Sequence, residues 1–150
     1  MTKNSNLKYS ILNLSNVYGP RQDPNGEAGV VSIFANKYLN DKEPIIFGDG
    51  EQTRDYIYVS DVISALIKAS KIEKNHFLNI GTGVETSVNE LANSMKTQFN
   101  SMVNAIYKPA REGELVRSVL NNTKAKQELD WEPEYSLDDG MKEVFNWLRA

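Results

Sequence analysis

Cysteine is absent from the chain, and histidine occurs once, as His76. Without a thiol there is no disulfide, no thiolate nucleophile and no zinc-thiolate cluster, so a metal site would have to be assembled from carboxylates. No metal site is expected. Also lacking is any apolar run near the roughly 20 residues that cross a bilayer, and the opening Met-Thr-Lys-Asn-Ser-Asn has no apolar segment of the signal-peptide kind. The expectation is a soluble, cytoplasmic protein without membrane contact. Positive charge is not in surplus either: 17 Lys and Arg against 20 Asp and Glu give a formal charge of -3, which argues against nucleic acid as the main partner.

What remains is an ordinary globular composition, 40% apolar and 25% charged over 150 residues, enough for one domain with a real core. Lys8 to Leu14 reads as a strand ending at Asn16-Val17-Tyr18-Gly19-Pro20, and a turn-rich loop over 21–29 follows as a plausible ligand lip. The spacing of Val30, Val31, Phe34 and Tyr38 predicts a helix that stops near Asn40-Asp41. Ile45 to Phe47, the glycines 48 and 50, and the alternation Asp55 to Val59 predict a hairpin region whose second strand is half-buried. Ser60 or Asp61 is expected to cap a second helix, and His76 to Ile80 to form a buried strand ending in Gly81-Thr82-Gly83.

Ser87 with Glu90 makes a capping box for a helix carrying Val88, Leu91, Ala92, Met95 and Phe99. Val103 to Tyr107 and Val116 to Leu120 are expected as strands; Thr123 to Leu129 and Ser136 to Trp147 are expected as helices. The alternation indicates an α/β fold in which the Tyr9 and Phe77 strands pair in parallel. So few strands make a poor parallel sheet, because such sheets are covered on both faces. The chain reads as the second half of a larger unit.

Arg54 sits where a glycine-rich turn becomes a strand, with Phe47 nearby in sequence. A guanidinium and an aromatic ring suit an anion that also carries a flat ring, such as a nucleoside diphosphate. A plain hairpin in which Arg54 pairs with Asp49, Glu51 or Asp55 fits the pattern at least as well. In Arg111-Glu112-Gly113-Glu114, Arg111 supplies a second clamp residue and Glu114 an acceptor for ribose hydroxyls, unless the segment is only a solvated turn. Gly81-Thr82-Gly83 has Thr86 where a dinucleotide fingerprint needs glycine, and reads as an ordinary turn. Tyr38 and Lys42 have a Tyr-x-x-x-Lys spacing at a helix end, but Tyr38 belongs to the apolar stripe, and His76 reads as structural. No catalytic residue is assigned.

Taken together, Leu14-Ser15-Asn16-Val17-Tyr18-Gly19-Pro20-Arg21-Gln22, Phe47-Gly48-Asp49-Gly50 with Thr53-Arg54-Asp55-Tyr56-Ile57-Tyr58-Val59, Asn79-Ile80-Gly81-Thr82-Gly83, Arg111-Glu112-Gly113-Glu114 and Asn122-Thr123-Lys124-Ala125 resemble one family. They are similar, in order and spacing, to the carboxyl-terminal half of the NAD-dependent sugar-nucleotide epimerases and dehydratases of the extended short-chain dehydrogenase/reductase group, most of all to UDP-glucose 4-epimerases. The resemblance implies a partial Rossmann-type parallel sheet with a small α/β substrate-binding subdomain, residues 1–150 being the substrate-binding part. It implies substrate contacts at Asn16, Val30, Val31, Ile45, Phe47, Arg54, Arg111 and Glu114, and passage of the nicotinamide beside Leu14 and Ser15. The ligand implied is a UDP-sugar. The family's NAD turn and its catalytic tyrosine and lysine lie upstream of the matching segment, so NAD is expected in the full-length family and not on this chain alone, which is expected to be inactive. The alternatives are a dehydratase or epimerase for dTDP- or other UDP-sugars, and a non-catalytic piece that forms a homo-oligomer through an exposed sheet edge.

Overall fold

The structure, a computed structural model, describes residues 6–25 and 29–150; part of the expected ligand lip, residues 26–28, lies outside them. Along the described residues run β1 (Ser10–Leu14), β2 (Asn16–Tyr18), α1 (Val30–Leu39), β3 (Ile45–Phe47), β4 (Thr53–Arg54), β5 (Tyr56–Tyr58), α2 (Val59–Ser70), β6 (His76–Ile80), β7 (Thr86–Ser87), α3 (Val88–Gln98), β8 (Ile106–Lys108), β9 (Arg117–Ser118), α4 (Thr123–Leu129) and α5 (Leu137–Arg149). The α/β character and the parallel pairing of the first strand with the His76–Ile80 strand are present, Ile11 lying opposite Phe77. Two further parallel pairs, β2 with β5 and β3 with β8, stand apart from it, and β4 lies between antiparallel β7 and parallel β9.

Several expected elements are shorter or differently joined. The first strand is Ser10–Leu14 where Lys8 to Leu14 was expected, and a separate short strand, Asn16–Tyr18, follows it. Ser15 N–H closes the β6 ladder on Ile80 O, while Asn16 N–H opens a new one on Asp55 O, each at 2.9 Å. No hairpin forms around Gly48 and Gly50. The amide of Asn89 and its side chain hold Gly50 O and Asp49 O, so the start of α3 fixes this turn and leaves β3 free to pair with β8. β5 is buried throughout, because Tyr56 and Tyr58 face one apolar cluster and Ile57 the other. The strands expected near Val103 and Val116 shrink to Ile106–Lys108 and Arg117–Ser118.

Helix starts divide in the same way. Ser87 caps α3 with the full capping box, and Ser136 caps α5 by accepting from Asp139 N–H at 3.1 Å. α2 begins earlier than expected, after Tyr58, without a side-chain cap. Asp61 turns inward instead and accepts the Glu134 and Tyr135 amides at 2.9 and 3.2 Å. Burial raises its carboxyl above the usual range, with those two amides acting against the shift.

Two apolar clusters result. α1, α3 and α5 close around Phe34, Leu91, Met95 and Met141, while α2, β6 and α4 close around Leu78, Ile80 and Trp131. The joint between them is Asp55, 1% exposed. Its carboxylate accepts from Thr82 N–H (2.9 Å), Thr82 Oγ1 (2.7 Å), Gly83 N–H (3.1 Å), Leu120 N–H (3.3 Å) and Ser15 Oγ (3.3 Å). Asp55→Ala would leave three amides without this acceptor, and its expected cost is about 3 kcal/mol or more. Urea unfolding checks this, with Ser15→Ala, which removes one peripheral hydroxyl, expected to stay within about 1 kcal/mol.

Candidate functional site

Arg54 is the last residue of β4, and its place is fixed by what its guanidinium holds. Nη1 donates to Thr53 O and Leu115 O, both at 2.8 Å, which ties the segment before β9 onto β4. Nη2 lies 3.7 Å from a Glu114 carboxylate oxygen. The expected alternative partners are otherwise employed: Asp49 accepts from Glu51 N–H, Glu51 from Asn89, and Asp55 points toward the 82–83 turn. Below β4, Glu85 bridges Thr53 (2.8 Å) and Arg117, and these hydrogen bonds hold its carboxyl down to about 2.

Phe47 ends β3, opposite Lys108 of β8, and Gln52 Nε2 donates to Phe47 O at 2.9 Å. The Arg111 guanidinium carbon lies 3.9 Å from the centroid of the Phe47 ring. Between these residues opens a cavity of about 500 Å³. Asn16, Val30, Ile45, Phe47, Arg54, Arg111 and Glu114 all line it, so residues spread over a hundred positions of sequence meet at one place. Val31 does not reach it: it is buried in the α1–α3–α5 cluster and faces a separate cavity beside Trp147. Leu14 and Ser15 are also elsewhere, Leu14 exposed at the end of β1 and Ser15 bonded to Asp55.

Lys37, Gln52 and Tyr56 line the cavity too and were not singled out from sequence. Tyr56 had a readable signal, since residues two apart on extended chain share a side, which puts it with Arg54. Its ring is buried, its hydroxyl has no hydrogen-bond partner among the described residues, and burial pushes the phenol up to about 12 against the pull of the Arg54 charge. Three cationic side chains and one carboxylate line the walls. An anion with an apolar or aromatic portion fits them, and a buried phenol without a partner is a donor waiting for an acceptor.

The family model described as GDP-mannose 4,6 dehydratase matches residues 1–144. The chain belongs to this family of sugar-nucleotide epimerases and dehydratases. Among curated relatives, a Methanocaldococcus jannaschii protein is 52% identical over 95% of this chain and 46% of its own length. The UDP-glucose 4-epimerase of Mycolicibacterium smegmatis is 43% identical over 90% of this chain and 44% of its own. The solved structure of a Thermotoga maritima UDP-glucose 4-epimerase with UDP-glucose superposes with a TM-score of 0.95 at 47% identity, covering 99% of this chain and 48% of that one. That of the Thermus thermophilus UDP-glucose 4-epimerase, in complex with NAD, gives 0.88 at 32% identity. The chain therefore has the Rossmann-like epimerase fold over about half the length of the proteins it matches.

As a cradle for a dinucleotide phosphate, the Gly81-Thr82-Gly83 turn is a poor fit. The Gly81-Thr82-Gly83 turn directs its Thr82 and Gly83 amides at Asp55, and Ser15 does the same with its hydroxyl, so none is free to hold a dinucleotide phosphate. Tyr38 is 3% exposed within the core and has no route to a reacting atom. No described helix is long and apolar enough to cross a membrane, and no described cluster of three metal-ligating side chains is present.

Two outcomes are expected here. Tyr56→Phe removes an unpartnered buried hydroxyl and should leave the urea midpoint unchanged or raise it, while taking one phenol out of the late, high-pH part of an ultraviolet tyrosine titration. Glu85 has a folded-state carboxyl at about 2 against an ordinary 4.5, so its contribution to stability is full above about pH 4.5 and is lost as pH falls through about 2. Glu85→Gln should accordingly flatten the acid limb of an unfolding-versus-pH profile.

Proposed function

We propose that these residues form the nucleotide-sugar-binding part of an NAD-dependent 4-epimerase, with a UDP-hexose as ligand. The observation that carries this reading is the single cavity in which two guanidiniums, an aromatic ring and an unpartnered phenol converge. In it, Phe47 and Ile45 flank the base near Val30, Arg54 and Arg111 bind the diphosphate with Asn16 and the Tyr56 hydroxyl, and Glu114 accepts from ribose hydroxyls. Bidentate guanidinium contacts suit phosphate oxygens in fixed geometry, and the ring supplies an apolar wall. UDP-glucose in the Thermotoga relative supports the choice of ligand.

NAD supplies hydride transfer at the sugar when bound, and in this reading it is held by groups other than the described residues. These residues bind and orient the nucleotide end of the substrate, which sets where the hexose lies. This reading assigns them no catalytic step of their own. Calorimetric titration with UDP should give saturable binding that Arg54→Ala weakens at least about tenfold, in line with the loss of a charge-assisted contact worth about 1.5–3 kcal/mol. Tighter binding of dTDP than of UDP would redirect the reading to dTDP-sugars, and conversion of UDP-glucose to UDP-galactose by the chain with added NAD would overturn the expected inactivity.

The outer face of β1 and β6 favours a second reading, self-association. Ile11 is 50% and Phe77 59% exposed there, beside exposed Tyr9. Among the described residues β1 pairs with β6 alone, whereas the far edge of β6 is partly covered by Lys124 Nζ on Phe77 O at 3.1 Å. Sedimentation should then show a mass that rises with micromolar concentration and that Ile11→Lys returns to the monomer. Monomeric behaviour throughout that range would exclude a homo-oligomer at this edge.

A further inference from the structure

Both clamp arginines are engaged by groups of the chain itself, and the two engagements meet on one turn. Glu114 N–H donates to Arg111 O at 3.4 Å, and Gly113 between them has φ 77°, in the left-handed region that favours glycine. At the first position of this turn the Arg111 guanidinium covers the Phe47 ring. At its last position the Glu114 carboxylate faces Arg54. A Cβ placed on Gly113 would meet nothing within 4 Å, and residues 109–117 are exposed. The turn is thus held from the cavity side and open on the other.

Each engagement has the chemistry of one part of a nucleotide. A planar guanidinium against an aromatic face occupies the surface on which a base would stack. A carboxylate against a guanidinium occupies the position of a phosphate oxygen and adds a charge that repels phosphate. A base settling on that face of Phe47 has to displace Arg111, and a diphosphate bonding to Arg54 has to displace Glu114. Both groups stand on one four-residue turn, so displacing one loosens the hold on the other. A ligand that replaces a single contact leaves the second to draw the turn back.

We propose that Arg111 and Glu114 are the specificity-determining residues of the cavity, internal counterparts of base and diphosphate that only a ligand carrying both groups displaces together. This rests on the nucleotide reading above and adds a reason for discrimination against nucleosides and against free phosphates. It assigns Glu114 two roles in sequence: competitor for Arg54 before binding, then acceptor for ribose once displaced.

The test uses the whole chain with UDP, uridine and inorganic pyrophosphate. Without nucleotide, the Arg111 side-chain protons should resonate upfield from the Phe47 ring current, return to ordinary positions in Phe47→Leu, and return likewise on saturation with UDP but not with uridine or pyrophosphate. Glu114→Gln, which keeps an acceptor for ribose and removes the charge, should tighten pyrophosphate binding about three- to fivefold, the scale of a half-exposed ion pair. Glu112→Gln, a neutralisation on the same turn away from Arg54, should change it less than about twofold. UDP binding with the Arg111 signals unmoved, or equal gains in the two Gln variants, overturns this proposal and leaves the nucleotide reading standing. Absence of any UDP-induced shift overturns both.

Discussion

A buried carboxylate has to be satisfied on every side or not be there at all, and Asp55 meets that demand by gathering five donors from three separate stretches of chain. The arrangement fixes more than the core. Gly81 has to be glycine, since a Cβ would lie 2.4 Å from an Asp55 oxygen. With Asp55 turned toward the 82–83 turn, its neighbours Arg54 and Tyr56 are directed the opposite way, into the cavity. The residue that joins the two clusters therefore also aims residues that line the cavity.

The cavity has two unequal kinds of wall. β3, β5 and the first turns of α1 present Ile45, Tyr56, Val30 and Phe34 from regular structure packed on α3 and α5. The remaining wall is the exposed turn of Arg111 and Glu114, tied down by side-chain contacts and one carbonyl, Leu115 O. Rigid elements give position and the turn gives adjustability, a division common where a site has to admit a ligand and then enclose it.

Much of this was readable from the amino acids. Helices with strong apolar spacing and a cap, such as Val88–Gln98 after Ser87, lie where the pattern puts them, because local chemistry decides their starts. The cap at Ser60 or Asp61 did not form, because Asp61 is claimed by amides more than seventy residues away, which no local pattern registers. The hairpin failed for a similar reason: the glycine turn is held by Asn89, a distant residue. In the site, seven expected residues converge: charge and aromatic chemistry mark Phe47, Arg54, Arg111 and Glu114 individually, whereas Asn16, Val30 and Ile45 are legible only through the family resemblance. Of the two valines expected there, Val30 lines the cavity and Val31 a separate one, because neighbouring residues on a helix face different sides.

Among the described strands, none pairs with its neighbour along the chain; even the nearest partners, Arg54 and Thr86, are 32 residues apart. Every ladder closes a long loop, and loop closure costs entropy before the ladder returns anything. With so many of its contacts long-range, the chain is expected to fold on the slow side for its size. A polypeptide built in this way keeps its strand edges bare until distant segments meet, so its exposure to aggregation is set by how quickly those segments find each other.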